Sequence, residues 1–229
     1  MAYSKESSWN EVYASNSQIA YPPEALIRIL LGTFPELSFL DKNFKGKKVL
    51  DVGYGDGRNF PLFDRLGLLC HGVEITKDIV SNTLNQPAFS NLNLDLKVGS
   101  CDSLPYNNGE FDYLVTWNSS YYMKPKNYSY LNHITELMRV VKSGGYIIAS
   151  VPMPSSFIYD SCKTLEDGYV EIRNDYFNVR NGQIMKQFEN KEDFTGYFAQ
   201  FCSEISCAEI TMNWFGLSYD WYVLVGKKC

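Results

Sequence analysis

Lys47-Lys48-Val49-Leu50-Asp51-Val52-Gly53-Tyr54-Gly55-Asp56-Gly57-Arg58-Asn59 is the stretch whose reading decides the fold. Val49, Leu50 and Val52 form a short apolar run that suits a buried strand. Glycines then fall at alternate positions 53, 55 and 57, where the backbone must turn sharply and approach a ligand without Cβ atoms in the way. Phe60, Leu62, Phe63 and Leu66 follow at helical spacing, and Gly67 is placed to end that helix. Strand, glycine turn and helix make the first half of a nucleotide-binding unit. The turn holds either a dinucleotide phosphate or a nucleoside with no phosphate.

Spacing and charge separate the two. The dinucleotide fingerprint is G-x-G-x-x-G, and here the third glycine comes one residue early. Asp51 and Asp56 flank the loop and would repel a pyrophosphate on a helix N-terminus. A cationic ligand, with a sulfonium and an ammonium group, suits that field better. The pattern Asp51-x-Gly53-x-Gly55-x-Gly57 resembles the first motif of the class I S-adenosylmethionine-dependent methyltransferases. Gly99 to Val115 and Glu136 to Gly145 look like later motifs of the same family, so the resemblance covers residues 47 to 151 well and the flanks weakly.

The rest of the chain alternates strand and helix, which predicts a parallel sheet with right-handed crossovers. Pro22-Pro23-Glu24 opens a helix that Gly32 ends. Strands are expected at 68–75, 94–98, 111–117 and 146–151, with helices from Thr76 to Asn85 and from Tyr128 to Val141, the latter stopped by Ser143-Gly144-Gly145. Asn181-Gly182 inside 169–188 signals a hairpin turn. Lys191 to Cys202 reads as a helix, and the runs 204–212 and 219–225 pair antiparallel. The expected fold is α/β: a seven-stranded, mostly parallel sheet ending in an antiparallel hairpin, helices on both faces, and a β-hairpin insertion after strand five. We expect one domain, 1–229, with 1–46 as an N-terminal flap and helix and 152–190 as an inserted lid or acceptor segment.

Ligands of open α/β sheets lie at the carboxyl ends of the strands. Glu74 closes strand two about twenty residues after the glycine turn, and the resemblance implies that it accepts the ribose hydroxyls, with Ile75 beside it. Asp102 resembles the family acid that meets the adenine amino group, flanked by Cys101 and Ser103; on its own it reads equally as a turn cap. Trp117 and Asn118 end strand four, where the family contacts the methionine end of the cofactor. Tyr54 belongs to the loop, and Tyr21, with Trp9 and Tyr13, to a flap over the site. The expected cofactor is S-adenosylmethionine.

The methyl acceptor is expected to be a small molecule, with a sugar or nucleotide-sugar as the favoured class and O or N as the receiving atom. Candidates near the reacting methyl are Tyr121, Tyr122, Tyr159 and Asp160. Histidine is the usual base for a hydroxyl acceptor, but His71 is placed at the start of strand two and His133 on the outer part of a helix, so neither is expected to serve. Two histidines and six cysteines without a C-x-x-C pair make a poor metal ligand set, so no metal is expected. A net charge of −5 argues against a nucleic-acid footprint. The N-terminal residues lack the apolar core of a signal peptide and no run is long enough to span a bilayer, so a cytoplasmic protein, monomer or homodimer, is expected. Two other readings stay open: a non-catalytic cofactor-binding protein of the same fold, and an NAD or nucleotide-sugar oxidoreductase.

Overall fold

The structure is a computed structural model that describes Trp9, Val12, Tyr13 and residues 21–124 and 129–229. Most of the expected flap, and Tyr128, lie outside those residues. Helix α1 (Glu24–Leu31) comes first and buries Leu26, Ile29 and Leu30. Then follow β1 (Lys48–Val52), α2 (Phe60–Arg65), β2 (Leu69–Glu74), α3 (Lys77–Leu84), β3 (Leu94–Val98), β4 (Phe111–Trp117) and a short β5 (Tyr122–Met123). The chain continues with α4 (Tyr130–Val140), β6 (Val141–Pro152), β7 (Cys162–Thr164), β8 (Tyr169–Ile172), β9 (Ile184–Lys186), α5 (Lys191–Gly196), β10 (Cys202–Trp214) and β11 (Leu217–Lys228).

The main sheet has seven strands in the order β10-β11-β6-β4-β1-β2-β3. Five run parallel, and β11 and β10 close the edge antiparallel. Strand order reverses between β1 and β4, which opens a crevice at their carboxyl ends. Neighbouring residues on a strand face opposite ways, so Val49, Val115, Ile148 and Val223 pack on one face and Leu50, Leu114, Ile147 and Leu224 on the other. The first face is covered by α1, α2 and α3 through Leu26, Phe60, Phe63 and Ile79. The second is covered by α4, through Ile134, Leu137 and Met138, together with the insertion. Among the described residues no helix is long and apolar enough to cross a membrane.

The expected architecture holds, with corrections. The insertion is more than a hairpin: β8 and β9 pair antiparallel, and β7 and β5 flank them in a separate four-stranded sheet ordered β5-β9-β8-β7. Asn181-Gly182 lies at the end of a long connection, 173–183, where Gly182 takes a left-handed φ of 77°. Helix α4 runs straight into β6, because Val141 already has extended angles. Gly144 therefore turns within the strand and does not stop the helix. The segment 191–202 is helical only to Gly196, although Phe194 and Phe198 are fully buried as a helical face would require.

Candidate active site

The glycine loop sits at the β1 carboxyl end, and each of its glycines has a left-handed φ: 71° at Gly53, 62° at Gly55 and 76° at Gly57. A Cβ on Gly53 would lie 2.4 Å from the Ser119 Cβ, and one on Gly55 would lie 2.8 Å from the Tyr13 ring. Beneath the loop Asp51 is 1% exposed. Its Oδ2 accepts a 2.9 Å hydrogen bond from Asn59 Nδ2, while Oδ1 has no partner. Burial, helped by the charges of Glu74 and Asp56, pushes the Asp51 carboxyl up to about 7 against the Asn59 hydrogen bond and Arg58. Glu74 is also buried, at 6% exposed. Its two oxygens accept the backbone N–H groups of Gly55 (2.8 Å) and Ile75 (2.9 Å), and burial still holds its pKa above the ordinary value. Asp56 is paired with Arg58 at 2.8 Å, so part of the negative field expected around the loop is neutralised.

Two adjoining cavities open here. The first, about 470 Å³, is lined by Gly53, Glu74, Ile75, Cys101, Asp102 and Asn118 among the expected residues. Val52, Val73, Val98, Gly99, Ser100, Ser119, Lys124 and His133 complete it, with Trp9, Tyr13 and Tyr122 at its edge. The second, about 630 Å³, shares Trp9, Tyr13, Gly53, Asn118 and Tyr122 with the first. It continues along Trp117, Tyr121, Phe157, Arg180, Tyr219 and Trp221. Both volumes fall in the range of small-molecule sites. The rings of Trp9 and Tyr13 stack at 5.8 Å, and Trp9 meets Tyr122 edge-on at 5.5 Å, over the junction.

Several expected residues stand elsewhere. Tyr21 is 73% exposed and lines neither cavity. Tyr54 lines the second cavity only, and its ring turns into the core against Phe60, in space that Gly72 leaves by lacking a Cβ. Gly55 and Gly57 shape the loop without lining either cavity, and Asp51 lies below it. Ser103 is turned into a backbone exchange with Ser100. Trp117 belongs to the second cavity only. Among the methyl-proximal candidates, Tyr121 and Tyr122 line the second cavity. Tyr159 is buried with its hydroxyl donating to Lys186 O at 3.1 Å, and Asp160 points to solvent at the end of a short 3₁₀ turn.

Lys124 carried no signal in the sequence, and it and Ser119 support residues that did. Ser119 hydrogen-bonds to Thr116 and to the Val52 carbonyl, tying β4 to β1 at the crevice. Asn118 takes a left-handed φ of 58°, held by a reciprocal pair of hydrogen bonds with Ser150; strain of this kind concentrates at functional sites. Asp102 is engaged by Ser100 Oγ at 2.6 Å and Lys124 Nζ at 2.9 Å. Partial burial would raise its carboxyl, but those hydrogen bonds hold it below the ordinary value. His133 is buried, not on the outer part of its helix, and lines the first cavity but not the second. Its Nδ1 donates to the Ser120 carbonyl at 2.8 Å. Among the described residues no group of three or more His, Cys, Asp or Glu is arranged to hold a metal ion.

Comparison with known proteins adds a family. Residues 49–145 match the family model described as a methyltransferase domain. No curated protein sequence matches the chain. Among solved structures, the PH0226 protein of Pyrococcus horikoshii OT3 has a TM-score of 0.64 at 20% identity, covering 96% of this chain and 99% of its own. A SAM-dependent methyltransferase of Methanosarcina mazei scores 0.61 at 17% identity, covering 86% and 98%. The Burkholderia thailandensis 1,6-didemethyltoxoflavin-N1-methyltransferase, solved with 1,6-didemethyltoxoflavin and S-adenosylhomocysteine, scores 0.57 at 12% identity, covering 80% and 72%.

The fold is that of the class I S-adenosylmethionine-dependent methyltransferases, the family that the glycine loop resembled. S-adenosylmethionine is the cofactor that the resemblance implies, and the residues fit it on two counts. Gly53 lines both cavities with bare backbone, and a Cβ there would collide with Ser119, so the wall holds this shape only with glycine. The buried Asp51 Oδ1 without a partner, and the enclosed Glu74, suit a cationic, hydroxyl-bearing ligand and oppose a pyrophosphate.

Proposed function

We propose that this methyltransferase transfers a methyl group to a small, ring-shaped acceptor seated in the second cavity. The observation that carries this reading is the junction: both cavities share Gly53, Asn118 and Tyr122 under the Trp9–Tyr13 stack. A cofactor with its adenosine along Glu74, Cys101 and Asp102 then directs its methionine end to Gly53 and Asn118. When bound, it supplies an electrophilic methyl on a sulfonium. Glu74 has lone pairs beyond those used by Gly55 and Ile75 to accept ribose hydroxyls. Asp102, with Cys101 beside it, takes the adenine edge. Trp9 and Tyr13 cover the junction and exclude water, and the segment 152–190 walls the acceptor side.

Tyr121 and Tyr122 are the residues nearest the acceptor. Burial holds the Tyr121 phenol well above its ordinary value, so it stays protonated at neutral pH and cannot act as a base. His133 faces the cofactor side. The acceptor therefore arrives as a neutral amine or an already acidic hydroxyl, and positioning supplies the acceleration. A sugar ring would stack on the aromatic walls, but a nucleotide-sugar suits them less. Arg28 and Arg58 are already paired with Glu24 and Asp56, leaving little positive field for a pyrophosphate. A cytoplasmic monomer or homodimer remains the working picture of the molecule.

The test is calorimetry with S-adenosylmethionine, S-adenosylhomocysteine and NAD, followed by a methyl-release assay over amines, phenols and sugars. Binding of the two sulfur nucleosides but not NAD is expected. Glu74→Gln should weaken S-adenosylhomocysteine by about 1–3 kcal/mol. A chain that ignores both sulfur nucleosides at millimolar concentration overturns the reading.

A further inference from the structure

The second cavity has one feature that a neutral ring acceptor leaves unused. Arg180, from the inserted segment, lines it with a side chain only 17% exposed. Asp175, whose side chain is fully buried, holds Nη1 at 3.0 Å. The second oxygen of Asp175 accepts the backbone N–H groups of Val179 and Arg180, so this carboxylate is fixed in place. The guanidinium carbon lies 5.8 Å from the centroid of the Phe157 ring, and Tyr122 is a further hydrogen-bond partner. Nε, shut off from solvent, has no acceptor.

We infer that Arg180 binds a carboxylate on the methyl acceptor, which makes the substrate class a planar, ring-bearing small acid. This rests on the second cavity being the acceptor chamber. A guanidinium has five N–H donors in a planar fork that matches a carboxylate, and it stays charged at every physiological pH. An arginine serving only as a strut for Asp175 would have its remaining enclosed donors satisfied by the protein, because buried unsatisfied donors are costly. Asp175 takes Nη1 and Tyr122 is a second partner, which leaves the Nε–H as the donor still to be met by a carboxylate that enters beside Tyr122. Tyr122 lines both cavities, so an acid held there keeps its ring at the junction where the methyl is delivered. The other charges lining the chamber, Arg28 with Glu24 and Arg58 with Asp56, cancel in pairs. Arg180 is paired too, with Asp175, so what singles it out is the unmet Nε–H and not a net positive field. Trp117, Tyr121, Phe157 and Trp221 supply the flat apolar walls.

The test uses the full chain loaded with S-adenosylhomocysteine and reads quenching of tryptophan fluorescence, since Trp9, Trp117 and Trp221 all line the chamber. Probes are benzoate and 1-naphthoate, with benzamide and 1-naphthamide as uncharged controls. The acids should bind at least tenfold more tightly than their amides. Arg180→Gln should erase the difference while S-adenosylhomocysteine affinity is kept, although Tm falls because the buried Asp175 loses its ionic partner. Arg180→Lys, which keeps the charge and a partner for Asp175 but loses the fork, should retain part of it. Equal binding of acids and amides, no binding of the acids, or a preference that survives in Arg180→Gln overturns the inference. If the wild-type chain does not bind S-adenosylhomocysteine, it is the acceptor-chamber reading that fails, and that result is seen before any acid is added.

Discussion

Asp51 is the residue whose sequence position was plain and whose physical state was not. An acid before a glycine loop reads as a surface charge facing a ligand, yet it lies beneath the loop, 1% exposed, with its carboxyl pushed up to about 7 by burial. The unfolded chain gives up this proton near its ordinary value of 3.8, while the folded chain keeps it until about 7. The contribution of Asp51 to stability is therefore full below about pH 4, is lost as pH rises toward 7, and levels off above it. Paired carboxylates such as Asp112 and Glu136 contribute in the opposite direction. Glu74, also raised by burial, adds to the slope of Asp51. Asp51→Asn should flatten that fall and leave the chain more stable than wild type by a few kcal/mol at pH 8, read as denaturation midpoints against pH. A cation in the site favours the ionised carboxyl, so S-adenosylmethionine affinity should rise from pH 6 to 8 in the wild type and much less in the variant. The lining of the first cavity was largely visible in sequence: Gly53, Glu74, Ile75, Cys101, Asp102 and Asn118 all belong to it. Tyr21, Tyr159 and Asp160 do not, because an aromatic or acid near a strand end in sequence carries no information on which way the chain turns next.

Elements with a clear apolar or alternating run read well, and the shortest ones did not. Strands β3 and β4 begin and end where their apolar patterns do. Thr76 caps α3 as its position suggested, accepting from Ile79. The two-residue β5 has no period to detect, so the insertion looked like a lone hairpin. The glycine turn is the element with the sharpest prediction. Gly55 has a φ of 62° and faces the Tyr13 ring, so Gly55→Val meets both backbone strain and a clash. It should reduce S-adenosylhomocysteine affinity by two orders of magnitude or more in calorimetry, with far-UV circular dichroism unchanged. Undiminished affinity would take the loop out of the site.

At the scale of the whole molecule, the insertion and the main sheet share one core. Phe188, 1% exposed, lies 5.0 Å from the ring of Tyr130 on α4 and 5.0 Å from that of Phe194 on α5. Phe188→Ala should cost about 3–5 kcal/mol and shift a single cooperative unfolding transition, followed by circular dichroism and fluorescence together. Two separated transitions would mean that the insertion folds by itself. The sequence could not disclose this sharing, since Tyr130 and Phe188 meet across more than fifty residues of chain.

The borrowed edge of the small sheet has a practical corollary for anyone trying to re-engineer this catalyst. Tyr122 and Met123, which arrive directly from the crevice strand, complete the sheet that the later segment builds. Transplanting residues 152–190 onto a homologous scaffold would leave that sheet one strand short, and the exchange of specificity would founder unless the dipeptide travelled with its module.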